Sequence, residues 1–328
     1  MVTQEQIARR LGISRQLVTL ALAGYPQVSE ASRKKILATA RAMGYRPNPH
    51  ARALRRGRTG IIALWIPDQI SSHYTHVTRQ LNRLMKAEQH ELVVSEIGDG
   101  TQHQNLSHVP VDGVVAVDAV AAVRNHLESA VGKAVPIISI GAEGCPEVDS
   151  VHVDLAVGAR EMMAHLLSTG RRRIVHATFM QSEAPGAVRR AEYVRAMTEA
   201  GLPPEFFQYP LSEEQRPIVR RDVQQFVRER GCPEAFFCHS DDVAIGIYRG
   251  LCDMGLKVPD QVALTGCDGI QDTEYLECPL STLVQPVEEM CTTAWKFLTQ
   301  RLAQPALERQ ESVLRPILAV RESTRARA

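Results

Sequence analysis

Apolar residues recur at helical spacing in the first stretch of the chain and in short unbroken runs further on, and that change of period divides the molecule. Ile7, Ala8 and Leu11 form one apolar stripe, preceded by Thr3 and Gln6 at the spacing of a capping box and followed by Gly12, which predicts a helix from Thr3 to Leu11. Ser14 is placed to cap a second helix that turns Leu17, Val18, Ala21 and Leu22 inward. Arg15, Gln16, Thr19 and Leu20 then fall at its start or on its opposite face. A third helix is signalled by Ser29, carries Ile36, Leu37, Ala40 and Met43, and stops at Gly44. Short helices joined by a tight glycine turn predict a helix-turn-helix.

From Ile61 onward, buried strands alternate with amphipathic helices. Ile61 to Ile66 reads as a buried strand, Val77, Leu81, Leu84 and Met85 as one face of a helix, and Leu92 to Val94 as the next strand. Strand runs at Val114 to Val117, Ile137 to Ile140, Ile174 to Ala177, Ala235 to Cys238 and Val262 to Thr265 alternate with helical stretches near Gly158 to Ser168, Ala191 to Ala200 and Ala244 to Met254. That rhythm predicts α/β architecture with doubly wound parallel sheets behind an all-α head. One sheet does not need so many units, so two lobes with a ligand cleft between them are expected.

Charge follows the same division. Up to Thr59 there are twelve basic residues against Glu5 and Glu30, a net +10, whereas the remainder holds 26 bases against 35 acids. A near-neutral total of +1 therefore hides a nucleic-acid-binding arm on an ordinary α/β body, whose 44% hydrophobic content suffices for sizeable cores. Arg15 and Gln16, at the start of the second helix, are of the types that bond bidentately to guanine and adenine and are the expected base readers.

In order and spacing, Gly12-Ile13-Ser14, Val18-Thr19, Val28-Ser29-Glu30, Gly44-Tyr45-Arg46-Pro47-Asn48 and Ala51-Arg52-Ala53-Leu54 resemble the LacI/GalR family of transcriptional regulators, and the resemblance runs from Val2 through Thr324. It implies a helix-turn-helix domain over residues 1–46, a hinge helix over 47–58 and an effector-binding core over 59–328 like the periplasmic sugar-binding proteins. The first lobe is expected over about 59–154 and 284–313, the second over about 155–283 and 314–328. The implied DNA-contact set is Thr3, Ser14, Arg15, Gln16, Thr19, Leu20, Ser29, Arg33, Tyr45, Asn48, Ala51, Arg52 and Leu54. Leu54 would be the wedge entering the minor groove, and Asn48 with Pro49 supplies a cap and a preformed first turn. So short a hinge helix is expected to order only on the operator, beside its partner's. Leu17, Leu20 and Ala23 depart from the family pattern; Leu20 either touches a thymine methyl or faces solvent.

The same registration gives an effector set of Pro67, Asp68, His73, Tyr74, Arg189, Ser240, Asp241 and Asp268. Arg189, four residues before Tyr193, would clasp sugar hydroxyls or a carboxylate, and Asp268 in Gly266-Cys267-Asp268 would accept hydroxyl hydrogen bonds. Asp241 either contacts the ligand or caps the helix beginning at Asp242. Glu192 in place of glycine, Gly141 at a position that is sometimes acidic, Leu155 after Asp154 in place of asparagine, and a short Gly98 to Pro110 segment depart from the family.

A phosphate-binding loop ending in Lys-Ser/Thr, a GxSxG elbow and HExxH are all absent, so no catalytic residue, metal site or cofactor is expected. The seven cysteines contain no CxxC pair and suit reduced, structural thiols. No apolar run approaches the ~20 residues that span a bilayer and no signal peptide is read, so the expected place is the cytoplasm, on the nucleoid. The tail lacks the apolar heptad of a tetramerising helix, so a homodimer is expected, joined through the helix around Val77 to Met85 and its counterparts. The expected function is a repressor that binds a palindromic operator as a dimer and answers to a sugar or sugar derivative acting as inducer or corepressor. The alternatives are a regulator whose pocket has decayed and a sugar-modifying enzyme fused to a DNA-binding head.

Overall fold

The structure, a computed structural model, describes residues 2–22, 24–45, 58–67, 71–97, 110–128, 135–179, 187–210, 212 and 214–325. It divides into two compact units, Met1–Thr59 and Gly60–Ala328. In the first, α1 (Gln4–Leu11), α2 (Arg15–Leu22) and α3 (Glu30–Ala42) enclose Ile7, Ala8, Val18, Ala21, Val28, Ile36 and Ala40. Thr3 and Gln6 form the reciprocal capping box, and Gly12 ends α1 in the left-handed conformation. Ser14 accepts from the Leu17 amide at 3.1 Å and Ser29 from the Ser32 amide at 3.3 Å, so each later helix starts on its own serine.

The second unit holds two six-stranded sheets. Its elements are β1 (Ile61–Ile66), α4 (Ser72–Ala87), β2 (Glu91–Glu96), β3 (Gly113–Val117), α5 (Val120–Glu128), β4 (Ile137–Gly141) and β5 (Asp149–Val153), followed by α6 (Leu155–Ser168), β6 (Ile174–Phe179), α7 (Ala187–Glu199), β7 (Glu205–Tyr209), α8 (Gln215–Arg230), β8 (Ala235–Cys238), α9 (Asp241–Asp253), β9 (Ala263–Asp268) and β10 (Ser281–Val284). The chain closes with α10 (Val287–Ala303), β11 (Glu311–Leu314) and β12 (Ile317–Ala319). The sheets run β11-β5-β4-β3-β1-β2 and β12-β10-β9-β8-β6-β7, with every pairing parallel except β10 with β12. Each therefore repeats one doubly wound order, whose reversal point lies between β1 and β3 in the first sheet and between β6 and β8 in the second.

The chain passes between the sheets after Val153, after Val284 and after Leu314, so β10 and β12 belong to one lobe while α10 and β11 belong to the other. Helix α10 is fastened to the first lobe by Trp295, which donates to Glu88 at 3.0 Å, and by Arg301, which grips Asp149 through two bonds at 2.9 and 2.8 Å. Val77, Leu81 and Met85 are fully buried in that lobe's core. The apolar face of α4 is thus spent inside its own lobe, and a dimer contact through this helix would use its polar side. Among the described residues no helix is long and apolar enough to cross a membrane.

Candidate functional site

In open α/β sheets, ligands lie beyond the carboxyl ends of strands at the point where the order reverses. Pro67 follows β1 and Asp118 follows β3 in the first lobe; Phe179 ends β6 and His239 follows β8 in the second. The charges acting on His73 come from both lobes, Asp118 from the first and Arg189, Asp241 and Asp242 from the second, which places these groups at one cleft. Burial holds the His73 imidazole below its ordinary pKa. Its ring packs edge-on to Tyr74 at 5.5 Å, and the Tyr74 hydroxyl donates to Asp118 at 3.3 Å.

Arg189 stands on α7, 5% exposed, and donates through Nη1 to the Cys267 sulfur at 3.3 Å and through Nη2 to His239 Nε2 at 2.8 Å. Burial first, and the guanidinium second, push the His239 imidazole well below its usual range, so a neutral ring nitrogen accepts the bond. Arg189 Nε has no partner among the described residues. Tyr193, one turn on, is structural: its hydroxyl donates to the Ile174 carbonyl at 2.7 Å.

Asp268 ends β9 at φ +130° and Asp118 follows β3 at φ +46°, both in backbone regions that favour glycine. Strain of this kind is held where the surroundings over-determine it and collects at ligand sites. Asp268 accepts from Gln285 Nε2 at 2.9 Å, and burial pushes its carboxyl up to about 7. Asp118 accepts from the Ala142 amide at 2.8 Å, and a side chain at Gly141 would fall 2.1 Å from its Oδ1. The space that a side chain at Gly141 would need is thus taken by Asp118.

Two members of the expected effector set are engaged elsewhere. Ser240 caps α9, accepting from the Val243 amide at 3.3 Å. Asp241 neither caps that helix nor keeps a free oxygen: Oδ2 accepts from the Gly269 and Ile270 amides at 2.7 and 2.9 Å, and Oδ1 from Thr282 at 2.6 Å. It is a strut that fixes the turn after β9, and Gly266 leaves it room, since a Cβ there would stand 1.9 Å from Oδ1. Burial first, then Asp268, push the Asp241 carboxyl up to about 7. Glu192 is engaged by Arg160 at 2.8 Å and by Arg195, and Asp154 caps α6 while Leu155 enters the core. Asp68 lies outside the described residues.

In the head, Arg15 and Gln16 are exposed at the first turn of α2. Leu20 is half-buried and packs on the head's core, with the rest of its side chain exposed. Gln4 ties the unit together, accepting from Thr19 at 2.8 Å and donating to the Tyr45 hydroxyl at 3.0 Å, and Arg33 bonds the Tyr25 carbonyl. Thr19, Arg33 and Tyr45 thus brace the head through these bonds. Asn48, Ala51, Arg52 and Leu54 lie outside the described residues. Among the described residues, no cluster suited to a metal ion occurs and all seven cysteines are free thiols.

Sequence reading passed over Asp118, His239, Gln285 and Gln4. The first two had a signal, since each directly follows a predicted strand; the others are positioned by tertiary contacts alone.

A small helix-turn-helix unit with exposed Arg and Gln at its second helix, followed by a two-lobed α/β core with polar groups gathered at its cleft, defines a ligand-responsive DNA-binding regulator. Residues 163–324 match the periplasmic binding protein-like domain. The chain is 24% identical to catabolite control protein A of Priestia megaterium over 99% of both chains. It superposes on the lac repressor dimer bound to operator and the anti-inducer ONPF with a TM-score of 0.82, at 21% identity over 98% of this chain and 99% of that one. A ribose-bound regulator from Enterococcus faecium gives a TM-score of 0.72 at 22% identity, covering 81% of this chain and 99% of that one. Along nearly its whole length the chain is thus similar to sugar-operon and catabolite repressors and to structures of the LacI type.

Proposed function

We propose that this protein is a transcriptional repressor that binds a palindromic operator as a homodimer and is controlled by a carbohydrate-type ligand in the cleft of its core. The observation that carries the reading is the exposure of Arg15 and Gln16 on the first turn of a helix whose other residues are locked into the head. Such a turn enters the major groove and reads base edges, and a two-fold dimer reads two half-sites. The hinge positions Asn48, Ala51, Arg52 and Leu54 complete the DNA contacts in this reading, with Leu54 as the minor-groove wedge.

The cleft supports the second half of the proposal. Arg189 donates to ligand oxygens and Asp268 accepts from hydroxyls, a pairing suited to sugars. A relative of the same fold holds ribose. Ligand binding that favours one lobe angle over another shifts the population of operator-binding dimers, and this is the coupling between sugar and operator. The protein acts as a regulator, not as an enzyme, in the cytoplasm and on the nucleoid.

Selection of genomic fragments by the purified full-length protein, competed by a panel of sugars and sugar acids, tests the reading. A palindromic site released or tightened by one compound is the expected result. A palindrome indifferent to every compound would remove the ligand from the proposal, and the absence of sequence enrichment would remove the operator.

A further inference from the structure

Tyr209 ends β7 with its side chain fully buried, and its hydroxyl has no hydrogen-bond partner among the described residues. Its ring packs edge-on to Phe179 at 5.8 Å, its neighbour in the sheet register. Phe179 in turn packs at 4.1 Å on His239, the ring that accepts from Arg189. The phenol feels the charges of Arg189 and Asp268, and burial holds it well above its ordinary pKa, so it is a neutral O–H group at any physiological pH. Arg189 Nε is likewise a buried polar atom with no partner among the described residues.

Buried polar groups are nearly always bonded, and one left unmade destabilises the fold unless function uses it. Two such groups beside one cleft point to a common user. We propose that Tyr209 is a specificity-determining residue of the cleft, its hydroxyl and Arg189 Nε meeting the oxygens of one edge of a neutral polyhydroxylated ligand while Asp268 accepts from an adjacent hydroxyl. This deepens the carbohydrate reading above and rests on it. A phenylalanine at 209 keeps the ring packing and removes only the reader, so ligand recognition and fold are separable.

The test uses full-length protein and its Tyr209→Phe variant. Each is titrated calorimetrically with D-ribose, D-galactose and cellobiose, and each is melted without sugar. The expected result is at least tenfold weaker binding of whichever sugar the wild type takes, with a sugar-free melting temperature equal to or above that of the wild type. Equal affinity overturns the proposal whatever the melting temperatures. A sugar-free melting temperature lowered by more than about 2 °C also overturns it, because the hydroxyl would then be a structural partner. If the wild type takes none of the three sugars, the carbohydrate reading loses its support, and the melting comparison still decides Tyr209: unchanged or raised supports a ligand-facing hydroxyl, lowered overturns it.

Discussion

Asp242 accepts two hydrogen bonds from Ser72, one from its backbone amide at 3.2 Å and one from its hydroxyl at 3.3 Å, so the first turn of α9 in one lobe caps the first turn of α4 in the other. A carboxylate at a helix N-terminus is favoured by the peptide dipoles. Arg216 reinforces the contact, donating to Asp242 at 2.7 Å, to Ser72 at 3.0 Å and to Asp272 at 2.8 Å. His73 and Tyr74 follow Ser72 directly, so the contact that joins the lobes also sets the start of the helix that presents two cleft residues.

The clasp predicts a measurable coupling. In a double-mutant cycle of Asp242→Ala and Arg216→Ala, read by thermal melting without ligand, the combined loss should fall short of the summed single losses by on the order of 1 kcal/mol. Arg216 is 37% exposed, so the coupling should shrink in high salt. Strictly additive losses would mean that the two residues hold nothing together.

Arg189→Ala removes the cation whose Nη atoms hold His239 and Cys267 and whose Nε is unpartnered among the described residues. Loss of a charged hydrogen-bonding group is worth about 2 kcal/mol, or roughly thirtyfold in affinity. Calorimetric sugar titration should show at least that loss, while operator binding without sugar stays within a few-fold of wild type. Retained sugar affinity would place the ligand elsewhere.

Much of this architecture was legible because local and tertiary demands agree. The caps Thr3, Ser14 and Ser29 and the stops Gly12 and Gly44 are satisfied by neighbours within the same few residues, so spacing alone reveals them. Strand β5 was not legible, since Asp149 and Ser150 read as turn residues. Asp149 is buried in a strand because Arg301, far along the chain, supplies two hydrogen bonds and the Gln310 amide a third. Helix α8 hid behind its arginines and Pro217, although Val219, Val223, Phe226 and Val227 keep helical spacing and proline is tolerated in a first turn. At the cleft the family registration marked Arg189 and Asp268, but it could not reveal that Asp241 would be consumed by Gly269, Ile270 and Thr282, or that Glu192 would pair with Arg160.

For the head, Arg15→Ala should weaken the specific operator by roughly 1 to 3 kcal/mol and leave nonspecific DNA binding nearly unchanged, because a base contact is lost and no phosphate contact is. The neighbouring core, with Val18 and Ala21 buried, is untouched by the change. Competition binding with operator and random duplex at one salt concentration separates the two effects. Equal losses on both duplexes would reassign Arg15 to the DNA backbone.

The raised carboxyl of Asp268 fixes a sign for pH dependence. Its folded pKa of about 7 stands above the ordinary value of 3.8 because burial disfavours the charge, whereas the unfolded chain ionises freely. Between those two values the folded state holds a proton that the unfolded state has lost, so this group's stabilising contribution is present in full below about 3.8 and declines as pH rises towards about 7. Asp268→Asn removes that titration. The stability of the variant relative to wild type should therefore climb from pH 4.5 to pH 7, by about 1.4 kcal/mol per pH unit from Asp268 itself with a further rise in the same direction as Asp241 is relieved of its neighbour's charge, and level off above. Buried histidines such as His176, lowered to about 3, titrate alike in both proteins and cancel from the difference. Denaturant melts of the two proteins across this range measure it, and a difference flat with pH would show that the Asp268 carboxyl is ionised in the folded cleft throughout.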